Sequence, residues 1–340
     1  MTHHSYFYSC DWGTTRFRLR LVSWPGREVL AAVVEDSGVR AVLASLGPHA
    51  GPAERAIAYA AFLRERVQEL ARAQGLESGA FPVVVSGMAS SSVGWRELPY
   101  ARTPVPVDGR GAVVERVPWG SESEAGGAGC WLVSGVRSET DMMRGEETEL
   151  IGLYASGAEA SLARSACVLL PGTHSKHLTV RDGAVCGIRT FLTGELFEVL
   201  ARHSLLRASV VWPLEGGLGD APSREAFEAG LDTVQGEGLT ESLFRVRTRT
   251  VLGGVNPAAN GWFLSGLLIG AEISGLAHGE HEGPVVLAGA AGLQSAYALA
   301  LRRHGLADRV RVLPVELTEH ATVHAHAVIL QRLAAEGRRE

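Results

Sequence analysis

Apolar and polar positions alternate with period two over residues 6–10, 17–24 and 29–35. Gly13-Thr14-Thr15 and Pro25-Gly26 separate these runs, so the first forty residues predict three strands in an antiparallel meander. The period then changes. Over residues 53–73, Ile57, Ala60, Ala61, Leu63 and Val67 share one side with Arg64, Glu65 and Arg66 around it, the pattern of a helix. A β-branched strand over 82–86 runs into Ser86-Gly87-Met88-Ala89-Ser90-Ser91-Ser92. Residues 99–129, rich in Pro, Gly and short strands, read as a surface insertion, followed by a strand over 131–136 and a helix over 142–154. The opening pattern then returns, with strands over 167–170, 177–181 and 184–191 and a helix over 194–203. A second meander roughly 160 residues after the first is an internal duplication of architecture. The rest predicts helices over 224–236, 261–276, 293–303 and 321–334 and strands over 243–252, 285–287 and 310–315, an α/β chain throughout.

Composition narrows the class. A chain of 340 residues with 46% hydrophobic content buries a large core and is expected to form two domains, 1–140 and 141–340, the last helix packing back on the first. The formal charge is −5 with no basic tract, which argues against a nucleic-acid partner. Cys10, Cys130, Cys167 and Cys186 lack metal-ligand spacing and read as reduced core residues of a cytoplasmic protein. Residues 1–4 lead straight into the first strand without a signal sequence. The apolar run over 262–277 is short for a membrane span and contains Glu272, so it predicts a buried helix.

The two turns carry the chemistry. In Asp11-Trp12-Gly13-Thr14-Thr15-Arg16 and Pro171-Gly172-Thr173-His174-Ser175-Lys176-His177, a strand enters a Gly-Thr turn where backbone amides, hydroxyls and a cation converge. A polyphosphate offers many acceptor oxygens and no donors, which such a turn can satisfy. Asp11 repels phosphate but can hold the magnesium that bridges phosphate oxygens. Of 32 basic residues only Lys176 is lysine, and it falls in the second turn, where a compact ammonium suits a point contact to phosphate. After the strand over 285–287, Gly289-Ala290-Ala291-Gly292 opens a helix and leaves room for a planar ring beside the backbone. Neither a Walker A motif nor a dinucleotide fingerprint occurs.

Two Gly-Thr hairpins and a late strand-Gly-x-x-Gly-helix turn, in this order, resemble the two-domain ATPase superfamily of actin, the heat-shock chaperone ATPases and the sugar kinases. Within it, Ser86-Gly87-Met88-Ala89-Ser90, Gly94-Trp95-Arg96-Glu97, Pro99-Tyr100, Met143-Arg144-Gly145-Glu146-Glu147-Thr148-Glu149 and Phe191-Leu192-Thr193-Gly194-Glu195 resemble the 2-dehydro-3-deoxygalactonokinase family from end to end. Glu149 departs from the glutamine expected there.

The resemblance implies an actin-like, duplicated ribonuclease H-like fold with an interdomain cleft. It also implies magnesium and ATP as cofactors, and transfer of the γ-phosphoryl group to the terminal hydroxyl of a 2-keto-3-deoxy sugar acid. Gly13, Thr14, Thr15, Gly172, Thr173, His174 and Ser175 would hold phosphate, and Gly289, Ala290 and Gly292 the adenosine. Asp11, Lys176 and Glu146 would be catalytic, Glu146 as general base with Glu147 and Asp141 in reserve. For the sugar acid, Arg16 and Arg96 offer guanidinium forks to a carboxylate, Ser90 a hydroxyl and Trp95 a wall. Other readings stay open: the gluconate-derived epimer as substrate, a Schiff-base aldolase using Lys176, or a nucleotide switch of the actin-like fold. Galactonate- and gluconate-derived substrates differ only in hydroxyl orientation. Partners are small molecules rather than nucleic acid or membrane, and a homodimer is open.

Overall fold

The structure is a computed structural model that describes residues 5–47, 50–77, 79–119, 129–157, 160–214, 216–277 and 283–336. The N-terminal residues 1–4 and residues 120–128 of the expected insertion lie outside the described residues. The chain divides into two compact units. One comprises Met1–Arg164, Arg181–Ile188 and Glu319–Glu340, the other Ser165–Val180 and Arg189–Thr318. Residues 141–164 and most of the last helix therefore group with the N-terminal unit.

In the first unit a six-stranded sheet runs in the order Val29–Glu35, Phe17–Ser23, Tyr6–Trp12, Val83–Gly87, Cys130–Val133, Val114–Val117. The first three strands form the expected meander, and Val83–Gly87 lies parallel to Tyr6–Trp12 with Trp12 opposite Gly87. Because successive side chains point to opposite faces of a strand, each face has its own core. Tyr8, Cys10, Trp12, Leu19 and Leu21 pack with Tyr59, Leu63, Val67 and Leu70 of helix Pro52–Ala73. Phe7, Val22, Val84 and Val133 pack with Val323, Ala327, Ile329 and Leu330 of helix Val315–Glu336. On that second face the pattern turns polar toward the strand ends, with Ser9, Asp11, Arg18, Arg20 and Ser86. Ser9 Oγ lies 2.9 Å from His326 Nδ1, and both residues are wholly buried. Burial, then the Arg20 charge, pushes the His326 imidazole down to about 3, so it remains neutral.

The second unit repeats the topology. Ser165–Leu170 lies parallel to Val285–Leu287, and Val285–Leu287 parallel to Val310–Val312. Along the chain Ser165–Leu170 is followed by Ser175–Arg181 and Ala184–Phe191, as in the first meander, although Arg181–Ile188 group with the first unit. Helices Ala221–Glu237, Pro257–Ala277 and Ala291–Arg303 supply the core through Phe227, Leu231, Phe263, Leu267, Tyr297 and Leu301. A meander followed by parallel strands, made twice, is the duplicated ribonuclease H-like arrangement of the actin-like fold. Among the described residues no helix is long and apolar enough to cross a membrane.

Several expectations change. Residues 243–252 belong to helix Leu239–Gly253, not a strand. Their alternation reflects which apolar residues are exposed, Phe244 at 57% and Leu252 at 84%, while Val246 turns inward and Arg249 stacks 4.2 Å over the Phe263 ring. The helix expected from 142 starts at Glu146, because Met142–Met143 pairs as a strand with Val136–Arg137. The strand expected over 131–136 breaks at Ser134-Gly135 into Cys130–Val133 and Val136–Arg137. A short helix, Val39–Ser45, was not foreseen. Cys10, Cys130 and Cys167 are buried free thiols as expected, whereas Cys186 is exposed.

Candidate functional site

Each unit presents its Gly-Thr turn where parallel strands end, the place where open α/β sheets take ligands. In the first unit Gly13 N donates to Arg16 O at 2.9 Å, closing the turn. The carbonyls of Gly13, Thr14 and Thr15 accept from the amides of Val39, Arg40 and Gly38 at 3.0, 3.2 and 2.9 Å. The unforeseen helix Val39–Ser45 thus anchors the turn through its carbonyl oxygens, and Thr15 stays exposed.

Asp11 sits at this turn with Arg18, its partner across the hairpin, whose Nη1 donates to Asp11 Oδ2 at 2.7 Å. Two glycines let the neighbouring backbones approach. Gly87 has φ +86, and a Cβ there would lie 2.8 Å from Trp12 O and 3.5 Å from Asp11 Oδ1. Gly145 has φ +114, and its Cβ would lie 3.6 Å from Gly87 Cα. A side chain at either position would meet strained backbone as well as neighbours, so the Ser-Gly-Met-Ala-Ser and Met-Arg-Gly-Glu-Glu motifs supply the glycines this junction needs.

Helix Glu146–Ala155 starts at this junction and brings acids to it. Glu146 is half-buried, with Oε2 accepting from Arg144 N at 3.0 Å. Glu147 is buried and turned onto its own helix start: Oε2 accepts from Gly145 N at 2.8 Å and Oε1 from Thr148 Oγ1 at 2.9 Å. Burial, then the Glu146 charge, pushes its carboxyl up to about 7. Glu149 keeps part of its surface open, yet desolvation, then the charges of Asp11 and Glu146, raises it to about 8 against the opposing pull of Arg18. Asp141 Oδ1 accepts from Met142 N at 2.7 Å.

Arg144, which the sequence reading did not single out, joins the motifs. Its Nη1 donates to Ser90 O and Ser90 Oγ, both at 2.6 Å, and its guanidinium stacks 4.1 Å from the Tyr100 ring. Ser90 is 1% exposed and also donates to Val133 O at 2.7 Å, so its hydroxyl serves this junction. Trp95 and Arg96 lie elsewhere in the unit, lining a cavity of about 660 Å³ with Ala53, Ala60, Arg64 and Trp119. Trp95 is buried, while Arg96 is exposed and pairs with Glu115 at 3.2 Å. Arg16 is exposed and pairs with Asp36 at 3.5 Å. The four residues expected at the sugar acid are thus not gathered in one place.

In the second unit the expected phosphate and adenosine turns do come together. Leu169 and Leu287 are register partners, and a Cβ on Gly289 would lie 3.3 Å from Pro171 Cδ. Thr173, His174, Ala290 and Gly292 are exposed, and nothing lies within 4 Å of a Cβ built on Gly172 or Gly292. His174 Nε2 lies 2.5 Å from Glu195 Oε2. Lys176 is 5% exposed, and its Nζ donates to Thr190 Oγ1 at 2.8 Å.

Ser175, facing away from Lys176 along the same strand, donates to Glu272 Oε1 at 2.6 Å. His177 Nε2 lies 2.8 Å from the same oxygen, while Tyr297 Oη at 2.5 Å and Thr193 Oγ1 donate to Oε2. Burial favours the neutral acid, but hydrogen bonds from His177, Ser175 and Thr193 and the charge of His177 outweigh it and hold Glu272 below its ordinary value. Removing one partner of such a buried ionic cluster costs about 3–5 kcal/mol. The sequence signal for this hub is one acid in an otherwise apolar helix.

A protein-family model described as 2-keto-3-deoxy-galactonokinase matches residues 11–323. The chain belongs to this family. It is 33% identical over 333 residues to a protein of Rhizobium meliloti (strain 1021) named "Probable 2-dehydro-3-deoxygalactonokinase DgoK1", covering 96% of this chain and 98% of that protein. It is 34% identical over 230 residues to the 2-dehydro-3-deoxygalactonokinase of Escherichia coli (strain K12), covering 66% and 71%. The crystal structure of a candidate 2-dehydro-3-deoxygalactonokinase from Sinorhizobium meliloti superposes with a TM-score of 0.75 at 30% identity, over 96% of this chain and 99% of that one. The matched residues 11–323 include both turns and the Gly87–Gly145 junction.

Proposed function

We propose that this family member transfers the γ-phosphoryl group of ATP to the 6-hydroxyl of 2-dehydro-3-deoxy-D-galactonate, in the cytoplasm where ATP is supplied. The carrying observation is the family match across residues 11–323 together with a relative aligned along nearly its whole length. In the first unit the carbonyls of Gly13, Thr14 and Thr15 accept from protein amides and Gly13 N closes the turn on Arg16 O, so the amides and hydroxyls of Thr14 and Thr15 would be the donors to phosphate oxygens. The open turns at Gly172 and Gly292 fit a triphosphate and an adenine, since neither carries a side chain to block a planar or anionic group.

Among the described residues no cluster of three or more His, Cys, Asp or Glu could hold a metal alone. That fits magnesium, which binds through one or two carboxylates and the nucleotide's own phosphates. Asp11 would be the protein's ligand, because Arg18 engages only its Oδ2. The ion, when bound, neutralises phosphate charge as the phosphoryl group leaves. Glu146 lies at the same junction with a carboxylate able to take the proton of the attacking hydroxyl. Lys176 follows the second turn and would balance phosphate charge there, while His174 stands in the turn beside Glu195.

A coupled assay for ADP release tests the reading across acceptors. Turnover is expected with magnesium-ATP and 2-dehydro-3-deoxygalactonate and almost none with glucose. Equal kcat/KM for glucose and the keto acid would reject it. A higher kcat/KM for the gluconate-derived epimer would change the substrate but keep the reaction.

A further inference from the structure

The second turn stands between two residues tied to one buried carboxylate. Ser175 follows the turn on strand Ser175–Arg181, and Thr193 opens helix Thr193–His203 behind it. The turn rests against that helix start, because a Cβ on Gly194 would lie 2.6 Å from Gly172 O and 2.8 Å from Thr173 Cα. Glu195 N donates to Thr173 O at 3.0 Å. Glu272, 4% exposed on helix Pro257–Ala277, accepts from Ser175 on Oε1 and from Thr193 on Oε2. His177 and Tyr297 take one more position on each oxygen.

We infer that Glu272 is a positioning residue for nucleotide: by tying Ser175 to Thr193 it fixes the Gly172-Thr173 turn between them in its phosphate-binding shape before ATP arrives. The inference rests on the proposed assignment of that turn to ATP phosphates. A carboxylate suits the task because it offers two acceptor oxygens to four donor groups. A glutamine at 272 has one acceptor oxygen, and its amide NH₂ would confront hydroxyls that now donate. A loosened turn must be ordered at the moment of binding, and that ordering is subtracted from nucleotide affinity.

The test is calorimetric binding of magnesium-ATP to the full chain without sugar acid, with Tm, KM for ATP and KM for the keto acid measured alongside. Glu272→Gln and Thr193→Val are each expected to weaken ATP binding by roughly tenfold or more, the order of one hydrogen bond to a charged group. KM for the keto acid should stay near its wild-type value. Thr193→Ser, which returns the hydroxyl, should restore ATP affinity. Leu267→Ala, a wholly buried position on the same helix, serves as the stability control: it should lower Tm but leave ATP affinity alone. Wild-type ATP affinity in Glu272→Gln would overturn the inference, as it would in Thr193→Val should Glu272→Gln not fold. A loss of ATP affinity in Leu267→Ala as large as in Thr193→Val would also overturn it. A wild-type chain that binds ATP but phosphorylates no sugar acid would sink the kinase reading alone.

Discussion

Asp11→Asn is expected to lower kcat by roughly 10²–10³-fold, the usual cost of removing one electrostatic group aimed at a transition state. The substitution is nearly isosteric, and its amide oxygen can still accept from Arg18, so the hairpin should keep its Tm. What it deletes is a negative charge beside the Gly13-Thr14-Thr15 turn. Phosphoryl transfer depends on positioning and charge neutralisation, so the loss should appear in kcat and in a higher magnesium requirement. A second consequence follows from the neighbours. Desolvation and then the Asp11 charge raise Glu149 to about 8, so Asn at 11 should bring Glu149 down toward the ordinary carboxylate range. Carbon-13 NMR of the glutamate carboxyl can read that shift independently of turnover. Near-normal kcat at saturating magnesium would make Asp11 a turn residue and no more.

Glu146→Gln is expected to cost roughly 10²–10⁴-fold in kcat, the worth of a positioned general base, while ATP still binds. Two other acids compete for the role. Glu147 commits one oxygen to Gly145 N and the other to Thr148, leaving its carboxylate engaged within its own helix start. Asp141 caps Met142 N. The raised carboxyl of Glu147 would give a role for that residue its own pH signature. A base with the raised value of Glu147 would be protonated below about 7, so kcat would fall as pH drops through that point. Glu147→Gln should retain turnover if Glu146 is the base. Loss of activity in Glu147→Gln with retention in Glu146→Gln would move the assignment.

The duplication was legible because each meander is written twice over: by period-two alternation and by the Gly-Thr turn that ends its first strand. Strand Val29–Glu35, strand Ala184–Phe191 and strand Val285–Leu287 fall where the alternation and turn residues put them. Helix Leu239–Gly253 was misread because Phe244, Val246, Thr248, Thr250 and Leu252 alternate with Arg245, Arg247 and Arg249 as in a strand, although of the apolar three only Val246 is buried.

In the site, the motif glycines marked the junction, but their reason lay in three dimensions. Gly87 and Gly145 are 58 residues apart in sequence and adjacent in space. Arg18 could have been found by counting across the hairpin, since a turn that pairs Trp12 with Phe17 must pair Asp11 with Arg18. Arg144 and Glu272 could not be found this way. Their partners come from distant segments, and an arginine in a motif looks alike whether it binds a sugar acid or, as at Arg144, ties Ser90 to Tyr100. Arg16 and Arg96 illustrate the converse, with side chains in surface ion pairs with Asp36 and Glu115.

The most direct measurement is product analysis after incubating the chain with magnesium-ATP and 2-dehydro-3-deoxygalactonate. Phosphorus–proton correlation NMR should show one new phosphomonoester coupled to the C6 methylene protons of the keto acid, in amounts equal to the ADP formed. ADP appearing with free phosphate and unmodified keto acid, or no ADP at all, would contradict the account.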